Sequence, residues 1–165
     1  MKSIRKCLSV TLTALAAGCF VASAQVPRLN PGVGPVIAGS YNPNELPERA
    51  LDFLRTYYGS HYAQSCEKDY MTEDYELTMT DGTEIEFDYQ GKVMEIDAPG
   101  DSAISQDAVK KILSKEAYNK LNELGATDKV EKIEREKRGF DIELVDGSTL
   151  HEIFITTEGK LIAQK

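Results

Sequence analysis

Histidine occurs only at His61 and His151, cysteine only at Cys7, Cys19 and Cys66, and tryptophan is absent. Without a cluster of cysteine and histidine, a zinc site is not expected. Cys7 and Cys19 fall in the N-terminal leader described below, so Cys66 has no partner for an internal disulfide. There is no HExxH, no GxSxG, no phosphate-cradling glycine loop and no basic patch interleaved with aromatics, which leaves metalloprotease, serine hydrolase, nucleotide and nucleic-acid readings without support. Nothing matches the ligand spacing of an EF-hand. No cofactor, no metal and no enzymatic activity are expected. Beyond the leader, no apolar run approaches the roughly 20 residues that span a bilayer.

Acidic charge is what the chain has in excess: 27 Asp and Glu against 19 Lys and Arg, for a net charge of −8. Lys2, Arg5 and Lys6 precede an apolar run from Leu8 to Val21, and Ala22-Ser23-Ala24 then gives a small-x-small cleavage pattern. Residues 1–24 are read as an export signal. Losing its three basic residues takes the net charge from −8 to −11, which disfavours nucleic acid and anionic membrane surfaces and favours encounter with cationic partners. A periplasmic or secreted location without membrane insertion follows. The alternative is an outer-membrane lipoprotein anchored through Cys19, because Leu15-Ala16-Ala17-Gly18-Cys19 loosely matches a lipidation box.

Residues 25–45 contain Pro27, Pro31, Pro35 and Pro43 with Gly32, Gly34 and Gly39, and show neither helical nor strand periodicity. They are read as a tether or wrapping arm. The folded domain is then 46–165. Within it the segment YELTMTDGTEIEFDYQGKV around Asp81-Gly82 recurs as FDIELVDGSTLHEIFITTEGKL around Asp146-Gly147. One unit is therefore written twice, as 46–97 and 104–165. Each opens with an apolar stripe at helical spacing: Ala50, Phe53, Leu54, Tyr57 and Tyr58 in the first, Ala108 to Leu124 in the second, with Ser105 as N-cap and a possible break near Ser114. Four strand-like segments follow each helix. Connections this short dictate antiparallel pairing.

A three-residue loop at Thr80-Asp81-Gly82 pairs Met79 with Thr83, Leu77 with Ile85 and Tyr75 with Phe87, making one face apolar. The same construction in the second copy pairs Leu144 with Ser148 and Ile142 with Leu150, and requires a bulge near His151 and Glu152. A 50-residue unit scarcely offsets its ordering entropy at roughly 25 cal/mol per Å2 of buried apolar area. Two units sharing one sheet are the more stable arrangement, with Asp97 to Asp101 as the joint. The expected class is α+β.

The order Leu46-Pro47 with its helix, Cys66-Glu67-Lys68-Asp69, Tyr75-Glu76-Leu77, Asp81-Gly82-Thr83 and Phe87 with Gly91-Lys92, repeated as Ile133-Glu134-Arg135, Phe140 to Leu144, Asp146-Gly147 and Gly159-Lys160, resembles the PepSY-like, beta-lactamase-inhibitor-like family of secreted bacterial proteins. The resemblance covers about Leu46 to Gln164. It implies tandem helix-plus-four-strand units forming one curved antiparallel sheet, helices on one face and the other face open. It implies no common activity. The second unit departs from the pattern with three more residues between Asp-Gly and Gly-Lys and a longer helix, and tryptophan is missing.

The first-copy register places Glu76 opposite Glu86, Asp74 opposite Asp88 and Thr78 opposite Glu84 on the open face, with Lys68 or Lys92 available to neutralise them. Tyr58 and Tyr62 are candidate aromatic anchors beside these acids. The function read from this is an exported, non-catalytic module that recognises a basic protein or peptide, inhibitor-like in the envelope. The alternative is a structural or assembly subunit that works through its tether. Cys66 is expected to be a small buried apolar residue, not a nucleophile paired with His61, and His151 is expected to be structural or paired with Asp141 across the hairpin.

Overall fold

The computed structural model describes residues 41–164, except Ser60, Tyr62, Asp101 and Ser148. The expected signal, Cys19 and most of the tether lie outside them. Tyr41 opens the folded body. Its amide donates to the Cys66 carbonyl at 2.6 Å, and its ring lies 5.2 Å from that of Tyr75. A 3-10 turn at Pro43–Glu45, capped by Asn42, leads into helix α1, Glu48–Tyr57. The end of the arm is thus part of the domain.

Strands β1 (Ala63–Lys68), β2 (Tyr75–Met79), β3 (Glu84–Phe87) and β4 (Val93–Asp97) follow, then helices α2 (Gln106–Ile112) and α3 (Lys115–Glu123), then β5 (Val130–Glu136), β6 (Gly139–Asp146), β7 (Thr149–Thr156) and β8 (Leu161–Gln164). The eight strands form one antiparallel sheet in sequence order. The repeats join through β4 and β5, where Glu95 faces Glu134, Ile96 faces Ile133 and Asp97 faces Lys132. Ile96 and Ile133 are fully buried. The core therefore runs through the joint without interruption.

Alternation of side chains puts Leu77, Met79, Ile85, Phe87, Ile96, Ile133, Phe140, Ile142, Ile153 and Ile155 on the face covered by Leu54, Val109, Ala117 and Leu121 of the helices. The second helical segment does break at Ser114. Its hydroxyl accepts from Ala117 N–H and donates to the Thr157 carbonyl at 2.6 Å, which caps α3 and ties it to the β7–β8 turn. The counterpart of α1 is α3, not α2. Gly91 lies against Pro47 and Ala50 at the start of α1, as Gly159 lies against Glu116 at the start of α3. Helix α2 is the addition that fills the seam between the copies.

The first hairpin has the expected register, with Tyr75 facing Phe87, Leu77 facing Ile85, and Gly82 at φ +93°. The second does not. Asp146 faces Thr149, Ile142 faces Ile153 and Phe140 faces Ile155, with no bulge between β6 and β7. The direct pairing of Asp146 with Thr149 does what the bulge was invoked to do. It brings Ile153 and Ile155 inward directly, at the cost of leaving Leu150 exposed at the hairpin tip.

Candidate functional site

On the uncovered face the cross-strand partners form an unbroken row. Glu67 faces Glu76, Glu76 faces Glu86, Glu86 faces Glu95, Glu95 faces Glu134, and Glu134 faces Asp141. Six carboxylates on six successive strands stand side by side. A second row runs beside it: Thr78, Glu84, Asp97, Lys132, Glu143 and Glu152. Like charges directly opposite each other oppose strand pairing, so this face is held together by the packing behind it.

Lys132 is the cation within these rows. Its ammonium lies 2.7 Å from Glu95, and both side chains are partly buried. That carboxylate raises the Lys132 pKa. The acids shift upward as well, which for them disfavours the charged form. Burial, then Glu95, Asp74, Glu76 and Glu134, push the Glu86 carboxyl above its usual range. Burial and Glu95 do the same to Glu134, and burial does so to Asp97. A carboxyl with a raised folded-state pKa binds its proton more tightly folded than unfolded, so stability falls as pH rises through the folded value. The domain is therefore expected to be more stable at mildly acidic than at neutral pH. Below the ordinary carboxylate range the sign reverses, because Asp69, held low by the Met71 amide, must then be protonated. Glu86→Gln should stabilise the domain at pH 7 by about 0.5–1 kcal/mol, after allowance for solvent screening, and flatten this slope. Thermal melts between pH 5 and 8 check it, and a destabilised variant would contradict it.

Glu76, Glu86, Thr78 and Glu84 sit on the open face as expected. Asp74 and Asp88 do not extend the ladder, which ends at Tyr75 and Phe87. The Asp88 carboxylate instead accepts from the Gln90 and Lys92 amides and closes the β3–β4 turn. Tyr58 is buried on the helix side, 6.1 Å from the Phe53 ring, where burial and then Asp81 raise its phenol pKa. It is not an anchor of the open face. Tyr62 lies outside the described residues. The expected neutralisers are also misplaced. Lys68 lies over the rings of Tyr75 and Tyr41, and Lys92 lines a cleft beneath α1, both on the helix side. Lys68 shares the inward parity of Cys66 on β1, and Lys92 sits in the turn ahead of β4.

What sequence reasoning missed is the half of the face that the second copy and the joint supply: Glu95, Asp97, Glu134, Asp141, Glu143 and Glu152. The repeat signature carried the signal, since Glu67 corresponds to Glu134 and Glu76 to Asp141. Pairing across β4 and β5 was the missing step. In the second copy Phe154 takes the place of Glu86, facing Asp141, so the acidic row ends on an aromatic.

Cys66 is buried, and burial pushes its thiol up to about 12. His61 lies 3.3 Å from Asp81. His151 faces Leu144, while Asp141 faces Phe154, so the pairing of His151 with Asp141 does not form. Among the described residues no group of three or more His, Cys, Asp or Glu side chains is arranged to hold a metal ion, and no helix is long and apolar enough to cross a membrane.

Residues 42–94 and 73–163 match the family described as "Putative beta-lactamase-inhibitor-like, PepSY-like". Among solved structures, a periplasmic protein from Bacteroides vulgatus is 25% identical, with 76% of this chain and 94% of that one covered and a TM-score of 0.61. A "putative calcium-regulated periplasmic protein" from Bacteroides thetaiotaomicron is 22% identical over the same shares, also with a TM-score of 0.61. A second B. vulgatus periplasmic protein, of unknown function, is 20% identical over 76% of this chain and 96% of that one, with a TM-score of 0.59. No curated protein matches the chain.

Proposed function

The chain belongs to the PepSY-like, beta-lactamase-inhibitor-like family, and from that premise we propose that it is an exported, non-catalytic module whose open sheet face captures a basic segment of a protein or peptide. The unbroken six-carboxylate row carries this reading. A surface that opposes its own strand pairing is a local cost, and such costs concentrate where a protein works. Its field would draw Lys- and Arg-rich segments and orient them across both repeats. Phe154 at the end of the row supplies an apolar contact beside the charge. The periplasmic descriptions of the solved relatives and the signal-like leader support action outside the cytoplasm.

The test is binding of a labelled Arg- and Lys-rich peptide at low and high salt. Glu76→Lys with Glu86→Lys should weaken it at least tenfold and lessen its salt dependence, and unchanged affinity would refute the reading. The assembly-subunit alternative draws on Tyr41, whose amide bond to the Cys66 carbonyl holds the first described residue at the edge of β1. Deleting residues 25–40 should leave peptide capture intact in the first reading and abolish partner binding in the second. Calcium regulation belongs to one relative's description. Here a calcium titration is expected to leave the melting temperature unchanged.

A further inference from the structure

Behind the acidic face the molecule has a cavity of opposite sign. It measures about 400 Å3 and lies between α1, the β3–β4 turn and the end of α2, at the seam of the two repeats. Arg49, Lys92, Lys111 and Arg135 line it, with Asp52 as the acid among its lining residues. Asp52 is already engaged, 3.0 Å from Arg55. Among the described residues, none of the ion pairs involves any of the four cations. Four positive charges therefore converge in a chain whose net charge is −8.

Part of this arrangement is structural. The Arg135 guanidinium donates to the carbonyls of Val93 and Ile112 and lies 4.8 Å from the centre of the Phe140 ring, pinning the C-terminus of α2 to the sheet. Lys111 is in the last turn of α2, where a cation suits the helix dipole. Neither account covers Arg49 or Lys92, which come from α1 and the β3–β4 turn. Aligning the buried Ala50 and Leu54 of α1 with Ala117 and Leu121 of α3 puts Glu116 at the position of Arg49, and the Gly159 turn still packs against that helix start, so the fold does not require a cation at that place.

The other walls are apolar: Phe53, Tyr57 and Val93. Cationic groups beside an aromatic wall, in a cleft of a size typical of small-molecule sites, favour one kind of occupant. We propose that this cleft binds a small organic anion, a carboxylate or phosphomonoester carried on an aromatic or branched apolar body. Its charged end would meet Arg49, Lys92 and Lys111, with the two guanidinium donors of Arg135 already committed to backbone carbonyls and others of its five still available. Burial and neighbouring cations lower the pKa of both Lys92 and Arg135 although Asp88 acts in the other direction on each, and a bound anion would relieve the remaining penalty.

Calorimetric titration of the full chain with inorganic phosphate, phenyl phosphate, acetate and phenylacetate tests this. Phenyl phosphate or phenylacetate should bind saturably at one site, at least tenfold more tightly than inorganic phosphate or acetate respectively. Arg49→Glu with Lys111→Glu, both exposed side chains, should weaken that binding at least tenfold. Lys160→Glu, in the equivalent turn of the second repeat, should not, and neither should Glu76→Lys with Glu86→Lys on the opposite face. The relative affinities of phenyl phosphate and phenylacetate decide which anion the cleft prefers. Melting curves of the variants report whether they remain folded. Absence of saturable binding, equal affinity for the anions with and without the aromatic body, or binding that survives the Arg49 and Lys111 reversal in a folded variant would overturn the proposal.

Discussion

Ile133→Ala should cost the whole domain about 3 kcal/mol and shift a single unfolding transition, without uncovering a second one. Ile133 is fully buried, facing Ile96 of the first repeat on one side and Ile142 of the second on the other. Removing it leaves a cavity in the strand pair that makes the two copies one sheet. Cys66 provides the readout, because it lies in the first repeat, is buried and has a thiol held largely protonated. Its labelling requires opening of the structure around it. If the sheet opens as a unit, Ile133→Ala should speed modification of Cys66, read at that residue by mass spectrometry, by about a hundredfold, since 1.4 kcal/mol corresponds to a factor of ten. Were the copies independent, a lesion in the second would leave the Cys66 rate unchanged.

Gly91→Ala should be nearly as damaging, at about 2–4 kcal/mol. Gly91 has φ +75°, and an added Cβ would stand 2.7 Å from the Ala50 amide nitrogen and 2.9 Å from Pro47 Cβ. Backbone strain and steric overlap therefore act together. Gly159→Ala should behave alike, because at φ +80° its Cβ would lie 2.6 Å from the Glu116 carbonyl oxygen. Gly147→Ala is the control. Its φ is +67° but nothing lies within 4 Å, so strain alone should cost about 1 kcal/mol. Equal losses at all three positions, measured by denaturant unfolding, would contradict the packing of these turns on α1 and α3.

The class of fold, the eight strands, the break at Ser114 and the first hairpin register were legible because each rests on local rules. Alternation fixes which side chains share a face, and Asp81-Gly82 fixes the loop that joins them. The second hairpin was misread because Leu150 looks like a core residue by pattern. Its exposure at the hairpin tip follows from a tertiary choice to bury Ile153 and Ile155, which no local signal carries. The site was legible only in its first half. Glu76 and Glu86 follow from one hairpin, whereas Glu95 meets Glu134 across a connection containing two helices. Strand parity turned Lys68 inward, Lys92 fell in a turn, Tyr58 stayed buried at the C-terminal end of α1, and turn capping removed Asp88. The cationic cleft had no sequence signature at all, since its four cations come from α1, the β3–β4 turn, α2 and β5.

The most direct measurement is residue-by-residue mapping of amide chemical shifts during titration with an Arg- and Lys-rich peptide. Perturbations should run across β1 to β6 through Glu67, Glu76, Glu86, Glu95, Glu134 and Asp141, continuous over the joint between the repeats. Shifts confined to one repeat, to the β1 edge near Tyr41 or to the helical layer would contradict a capture surface built jointly by both copies.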